Sequence, residues 1–324
     1  MRLFFPPPVL SALKTLIPNL IVINEDDLKT PRLEALLVEH EVEILIAGWS
    51  TPGLSQDFAN ASASLRYYCY LTGSVRPKVP KALVEAGLIV TNWGPTISRT
   101  VAEAALMLTM MSLRRAPLWH DVMHHERGWA ENQTFAGQFA LQGRRVGMHG
   151  FGNIARALRE MLRPFEAEVS TYSPPVSDEV LEAHEVKRCH SLEELFRDNQ
   201  IVIELAALTD ETRGSVTEEL LRMLPEDGVF VNVGRGAVVD EAGLIRVATE
   251  GRIRIGLDVF SEEPLPPDSP LRGNQNVALM PHLAGPTEDR IPDLGRYANA
   301  NIARYLAGEN LLSVISAANY DSIT

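Results

Sequence analysis

The chain has 324 residues, 45% apolar and 22% charged, which excludes disordered and fibrous classes and, at about 150 residues per domain, predicts two domains. Its net charge of −12 argues against a nucleic-acid or anionic-membrane partner. Two cysteines, Cys69 and Cys189, are too few for a disulfide framework or a cysteine-rich zinc module and suit a reducing compartment. The opening MRLFFPPPVL has one Arg and a proline-broken apolar run, so no secretory signal is expected. The longest apolar stretch, Ala104 to Leu113, is far shorter than the ~20 residues of a membrane span. A cytoplasmic protein is expected.

Short β-branched runs alternate with helical patterns, the signature of βαβ units and a parallel sheet. In the first third, Arg2–Phe5, Leu20–Ile23, Glu43–Ala47, Tyr67–Tyr70 and Leu88–Thr91 predict strands, with helices over Pro31–His40 and Pro80–Ala86. A long apolar helix follows over Ser98–Arg115, closed by the basic pair Arg114–Arg115, which suits a helix C-terminus. Trp119 to Glu126 reads as a polar surface helix. Its His120/His124 pair has an i, i+4 spacing that can bind a metal, but without a His-Glu-x-x-His arrangement no metal is expected. Met107, Met110 and Met111 read as packing.

A second series begins near Arg144. Strands are predicted over Arg145–His149, Glu168–Tyr172, Ile201–Leu205, Val229–Val233, Arg254–Asp258 and Val277–Met280. Ser191-Leu-Glu-Glu194 is a capping box, Gly251 ends the helix that starts at Asp240, and a last helix runs from Thr287 to Leu306. The economical reading is an α/β chain of two doubly wound parallel-sheet domains.

Chemistry concentrates in the second series. Gly150-x-Gly152-x-x-Ala155, between a strand and a helix, is a dinucleotide fingerprint: Gly150 permits the tight turn, and Gly152 lets the backbone approach a pyrophosphate. The amides of Asn153 and Ile154 would meet that anion at the helix N-terminus. The next strand ends in Ser173, where a carboxylate usually holds the ribose 2′-OH of NAD. Ser173 removes the group that would repel a 2′-phosphate, but no Arg precedes Lys187 to attract one. NAD and NADP both stay open, with NAD slightly favoured. Arg235, Glu263 and His282 then follow at predicted strand ends. Together they supply what reduction of a 2-oxo acid needs: a cation for the carboxylate and carbonyl, a carboxylate partner, and an imidazole proton donor.

With Val101-Ala-Glu103, Arg127-Gly-Trp129, Leu208 to Gly214, Asn232 to Asp240, Gly256 to Phe260, Glu263-Pro264 and Pro281 to Gly285, the chain resembles the D-isomer-specific 2-hydroxyacid dehydrogenases over about Val90 to Thr287. The resemblance implies a Rossmann-type dinucleotide-binding domain, 98–283, and a smaller, discontinuous flavodoxin-like substrate domain, 1–97 with 284–324, with the active site in the cleft between them. It implies Arg235 as the substrate-binding arginine, His282 as the acid/base, Glu263 as its partner and Asp258 as holder of the nicotinamide carboxamide. Gly150, Gly152, Asn153, Ile154, Ser173, Ala206, Thr212, Val233, Gly234 and Gly285 fall at cofactor positions. Thr72, Gly73 and Ser74 resemble the loop that receives the substrate carboxylate. A homodimer through about Ser98 to Trp129 is implied as well. The implied function is hydride transfer between NAD(P)(H) and a small D-2-hydroxy acid or 2-oxo acid, by a glyoxylate/hydroxypyruvate reductase or a short-form phosphoglycerate dehydrogenase, since the chain ends at Thr324. Three departures stand out: Arg76 where the family has Asp, Ala207 for Pro, and Glu204 in an apolar strand. A buried Glu204 would be costly unless paired. The unusual substrate loop and Glu204 motivate an alternative, an NAD(H)-sensing binding protein or corepressor-like member with little turnover.

Overall fold

The computed structural model describes residues 3–23, 28–58, 64–124 and 137–322; Arg127, Trp129 and His125 lie outside them. The chain divides into two compact units, 1–97 with 287–324 and 98–286. Among the described residues no helix is long and apolar enough to cross a membrane.

The smaller unit holds a three-stranded parallel sheet, β1 (Ile44–Ala47), β2 (Tyr67–Tyr70) and β3 (Ile89–Thr91), in that order. The central strand β2 is buried throughout, and the Tyr67 hydroxyl meets Thr91 Oγ1 at 2.7 Å. Beyond β3, Val314 forms an antiparallel bridge to Thr91. The helix Ile291–Leu306 returns the chain to this unit: a Cβ on Gly295 would stand 2.0 Å from the Phe4 carbonyl oxygen, and Asn299 Nδ2 donates to the Val9 carbonyl.

Two expected strands are absent here. Leu3–Phe5, the described part of the first, is a turn into the helix Pro7–Leu16, whose start is set by Pro7 and Pro8, because a fixed φ suits a helix's first turn. Leu20–Ile23 is irregular, and Ile21 and Val22 are exposed. β-Branched composition makes a strand only where a neighbour and a packed face receive it. The described sheet is therefore wound in one direction, without a reversal of strand order.

The larger unit carries a seven-stranded parallel sheet in the order β10-β9-β8-β7-β4-β5-β6. Its strands are β4 (Arg145–His149), β5 (Glu168–Tyr172), β6 (Lys187–Arg188), β7 (Ile201–Glu204), β8 (Val229–Asn232), β9 (Arg254–Leu257) and β10 (Val277–Leu279). β7, β8 and β9 are buried along their whole length, as expected of a parallel sheet covered on both faces. Across one face runs the helix Ser98–Leu113, so close that a Cβ on Gly256 would stand 3.0 Å from Leu108 Cβ. The buried Arg254 guanidinium donates to the carbonyls of Ser112 and Leu113 at that helix's end, where cations are favoured. Ser191 caps its helix by accepting the Glu194 amide N–H, and Gly251 ends another in the left-handed conformation. The two-residue edge strand β6 was not foreseen, for two basic residues carry no apolar alternation.

Strand order reverses between β4 and β7, which places a crevice at their carboxyl ends. Glu204 lies there, fully buried, in register with His149 on β4. His149 Nδ1 donates to Glu204 Oε2 at 2.5 Å, and Glu204 Oε1 accepts the Ala206 amide N–H at 2.7 Å. The stray carboxylate is thus paired, and it ties the two loops of the crevice together. Glu204→Leu should cost about 3–5 kcal/mol, because it strands a buried imidazole and an amide. His149→Val with Glu204→Leu should recover the imidazole's share of that loss in urea unfolding, the Ala206 amide staying unpaired; near-additive losses would show the two residues to be uncoupled.

Candidate active site

The crevice is built from backbone. Gly150 follows β4 at φ +88°, its amide donates to the Tyr172 carbonyl, and a Cβ would stand 3.0 Å from Ala206 Cα. Both the left-handed conformation and the close approach require glycine. Gly152 is the N-cap of the ten-residue helix Asn153–Leu162, with no side chain capping the first-turn amides, and a Cβ there would enter open space. Uncapped amides on a helix dipole, next to space that only glycine leaves open, fit a dinucleotide pyrophosphate. Ala206 after β7 and Gly234 after β8 line the same strand ends; a Cβ on Gly234 would stand 3.3 Å from the Glu204 carbonyl oxygen. Val233 is buried beside Gly234. Thr212 is turned into its own loop, where its hydroxyl donates to the Ala207 carbonyl at 2.6 Å and accepts the Thr209 amide N–H. Thr212 shapes this loop through those bonds. Ser173 Oγ accepts the Phe151 amide N–H at 3.2 Å, which fixes the end of β5 to the glycine loop.

The chemical groups stand at the ends of β8, β9 and β10. Asn232 fixes the turn that carries Arg235: its Oδ1 accepts the Gly234 amide N–H, and its Nδ2 donates to the Arg235 carbonyl. Arg235 is half-buried, with Nη1 donating to the Gly234 carbonyl. Next to it, a Cβ on Gly236 would lie 2.0 Å from the Phe260 carbonyl carbon and oxygen, so the Arg235 loop rests directly on the segment leading to Glu263. Glu263 is held at both oxygens: Oε1 accepts the Phe260 amide N–H at 3.0 Å, and Oε2 accepts from His282 Nδ1 at 2.6 Å. A carboxylate on Nδ1 sets the ring's tautomer and orientation and leaves Nε2 for chemistry. His282 and Glu263 side chains are 47% and 35% exposed, so the pair is reachable. It borders a cavity of about 680 Å³ whose other walls include Phe260, Leu279, Met280 and Arg272.

Asp258 has a task the sequence did not reveal. It is buried after β9, its carbonyl accepts the His282 amide N–H at 2.8 Å, and its carboxylate accepts those of Leu283 and Ala284 at 2.8 and 2.9 Å. These bonds hold His282 at φ +55°, a left-handed conformation that costs a side-chain-bearing residue roughly 1–2 kcal/mol. A Cβ on Gly285, just beyond, would enter open space.

In the smaller unit, Thr72, Gly73 and Ser74 follow β2. Thr72 is buried and its carbonyl accepts the Trp93 amide N–H; Asn92 Nδ2 donates to the Gly73 carbonyl, and a Cβ on Gly73 would strike the Trp93 ring at 2.7 Å. The loop is therefore braced from β3, and the Thr72 side chain faces inward.

The sequence profile "D-isomer specific 2-hydroxyacid dehydrogenase, NAD binding domain" matches residues 106–284. A glyoxylate/hydroxypyruvate reductase of Arabidopsis thaliana is 32% identical over 230 residues, 71% of this chain and 69% of its own length. The chain belongs to the D-isomer specific 2-hydroxyacid dehydrogenase family. A glyoxylate reductase of Aeropyrum pernix is 30% identical over 230 residues, 69% of this chain and 68% of its own. The solved structure of Rhodotorula graminis D-mandelate dehydrogenase shares the fold, with a TM-score of 0.83 at 21% identity over 94% of this chain and 93% of that one. The family's α/β architecture, its NAD(P) dependence and its oxidoreductase activity on hydroxy acids hold for this chain.

One residue beside the Ser173 loop was not singled out from the sequence: Arg188, on β6. Only the pairing of β6 with β5 brings it there, fifteen residues downstream of Ser173 in the chain.

Burial pushes the Asp258 carboxyl above the usual carboxylate range, against the opposing pull of the Ala284 and Leu283 amides. A raised value in the folded state favours the protonated form, so its stabilising contribution is full below about pH 3.9 and is lost as pH climbs through the raised value. Relative to Asp258→Asn, the unaltered protein should therefore lose stability as pH rises from about 4, in urea midpoints compared up to pH 7. A margin that grows with pH would overturn this.

Proposed function

We propose that this enzyme reduces small 2-oxo acids, glyoxylate and hydroxypyruvate foremost, to D-2-hydroxy acids, with His282 as acid/base. The His282–Glu263 pair, 2.6 Å apart on a loop anchored by Asp258, carries this reading. The bound nicotinamide supplies the hydride. His282 Nε2 delivers a proton to the substrate oxygen and takes it back in the reverse direction. Glu263 keeps the ring in the productive orientation, and the Arg235 guanidinium binds the carboxylate and polarises the carbonyl. Backbone groups of Thr72, Gly73 and Ser74 are the substrate contacts proposed within the smaller unit. On this reading residues 98–283 bind the dinucleotide, and 1–97 with 284–324 bind the substrate.

The cofactor contacts proposed are the amides of Asn153 and Ile154 for the pyrophosphate, the strand-end residues Ala206, Val233, Gly234 and Gly285, and Ser173 near the ribose. Two further proposals accompany this. A homodimer would form through the helices Ser98–Leu113 and Ala116–His124, where Met107, Met110 and Met123 are exposed. Cytoplasmic location is supported by two free, buried cysteines. The binding-protein alternative gains no support from Glu204, whose buried partner is His149.

His282→Ala should lower kcat on glyoxylate or hydroxypyruvate by about 10²–10⁴-fold with dinucleotide affinity retained. Arg235→Ala should raise KM for the 2-oxo acid and lower kcat as well, since it removes both the carboxylate contact and the carbonyl polarisation. A panel adding pyruvate, phenylpyruvate and 3-phosphohydroxypyruvate ranks the acids. Near-normal turnover in His282→Ala would end the assignment.

A further inference from the structure

We infer that Arg188 and Ser173 set this enzyme's cofactor preference, selecting a dinucleotide with a 2′-phosphate, NADPH over NADH. The inference rests on the dinucleotide reading of the glycine loop given above and reverses the slight preference for NAD drawn from the sequence.

In an open α/β sheet an acidic residue after the second strand hydrogen-bonds the ribose 2′-OH of NAD, whereas an arginine accommodates the 2′-phosphate of NADP. Here the second strand is β5, and Ser173 follows it. Ser173 Oγ is already the acceptor for the Phe151 amide, so the residue is pinned to the glycine loop. No carboxylate at this position would repel a phosphate.

The cation comes from the next strand. Arg188 on β6 is in register with Thr171 on β5, and its side chain runs along the loop that leaves β5. Nη1 reaches the Ser173 carbonyl at 3.4 Å, Nη2 the Val176 carbonyl at 2.5 Å, and Nε the Asp178 carboxylate at 2.5 Å. The guanidinium charge is thus held at the backbone of the very residue that decides between the cofactors. Each Nη carries a second N–H beyond these bonds, and the planar fork suits phosphate oxygens. Its carboxylate partner, Asp178, is 73% exposed against 22% for Arg188, so on the carboxylate side water and a phosphate can both compete for the guanidinium. Pro174 and Pro175 restrict the backbone of the intervening loop, which keeps Ser173 and the guanidinium in fixed relation.

A loop clamp alone would move all ligands together, whereas phosphate recognition moves only those with a 2′-phosphate. Calorimetric titration of the full chain with NADPH, NADH, 2′,5′-ADP and 5′-AMP separates the two. The unaltered protein should bind NADPH over NADH, and 2′,5′-ADP over 5′-AMP, by about tenfold or more, with the advantage shrinking as salt is raised. Arg188→Leu should erase both preferences by weakening NADPH and 2′,5′-ADP while 5′-AMP shifts less than about twofold. Ser173→Asp, a second variant that keeps the Arg188 clamp, should reverse the preference toward NADH. Equal or NADH-favoured binding by the unaltered protein, or a parallel loss of all four ligands in Arg188→Leu, overturns the inference alone. Failure of both dinucleotides to bind overturns the dinucleotide reading with it.

Discussion

A buried carboxylate satisfied by backbone amides is the constraint on which the geometry of the candidate site depends. Asp258 leaves the sheet at the end of β9, and through its carbonyl and carboxylate it receives the amides of His282, Leu283 and Ala284. Those bonds offset the cost of a left-handed histidine and aim its ring at Glu263. The Glu263 carboxylate is oriented by the Phe260 amide, and Phe260 in turn touches Gly236 beside Arg235. The three candidate side chains are thus set by main-chain contacts among three adjacent strand ends, and a rigid buried sheet supplies the precision that flexible side chains lack.

The nucleotide end follows the same logic with a different device. Strand reversal between β4 and β7 parts the loops that follow them, and something must keep the gap at a fixed width. In this chain a buried His149–Glu204 pair spans the two strands, with Glu204 also holding Ala206. An apolar pair would serve stability as well or better. The polar pair adds direction, because its hydrogen bonds fix the Ala206 backbone relative to β4, and that backbone packs against Gly150.

The larger sheet was legible because its strands are buried on both faces: runs such as Val229–Asn232 are continuous, and the Gly150 turn, Ser191 cap and Gly251 stop punctuate the chain. The smaller unit was less so. Leu20–Ile23 has strand composition but pairs with no strand among the described residues, a fact that no local window contains. The candidate trio Arg235, Glu263 and His282 could be marked from the sequence because each follows a strand at a sheet end. Asp258 could be marked but not understood, since its task depends on amides more than twenty residues away. Glu204 looked anomalous for the same reason: its partner lies on another strand, 55 positions earlier.

Arg188 is the instructive omission, because it belongs to a strand too short and too charged to announce itself. Sheet edges are commonly kept brief and charged so that they do not pair with other chains, and β6, with Lys187 exposed beside Arg188, meets that description. The residues that protect such an edge also stand next to the second strand of a dinucleotide fold. An edge strand is therefore a place where a cation kept for solubility can be turned toward the ribose without disturbing the core. The guanidinium at the Ser173 carbonyl is the candidate for that role, with Pro174 and Pro175 in the loop between them.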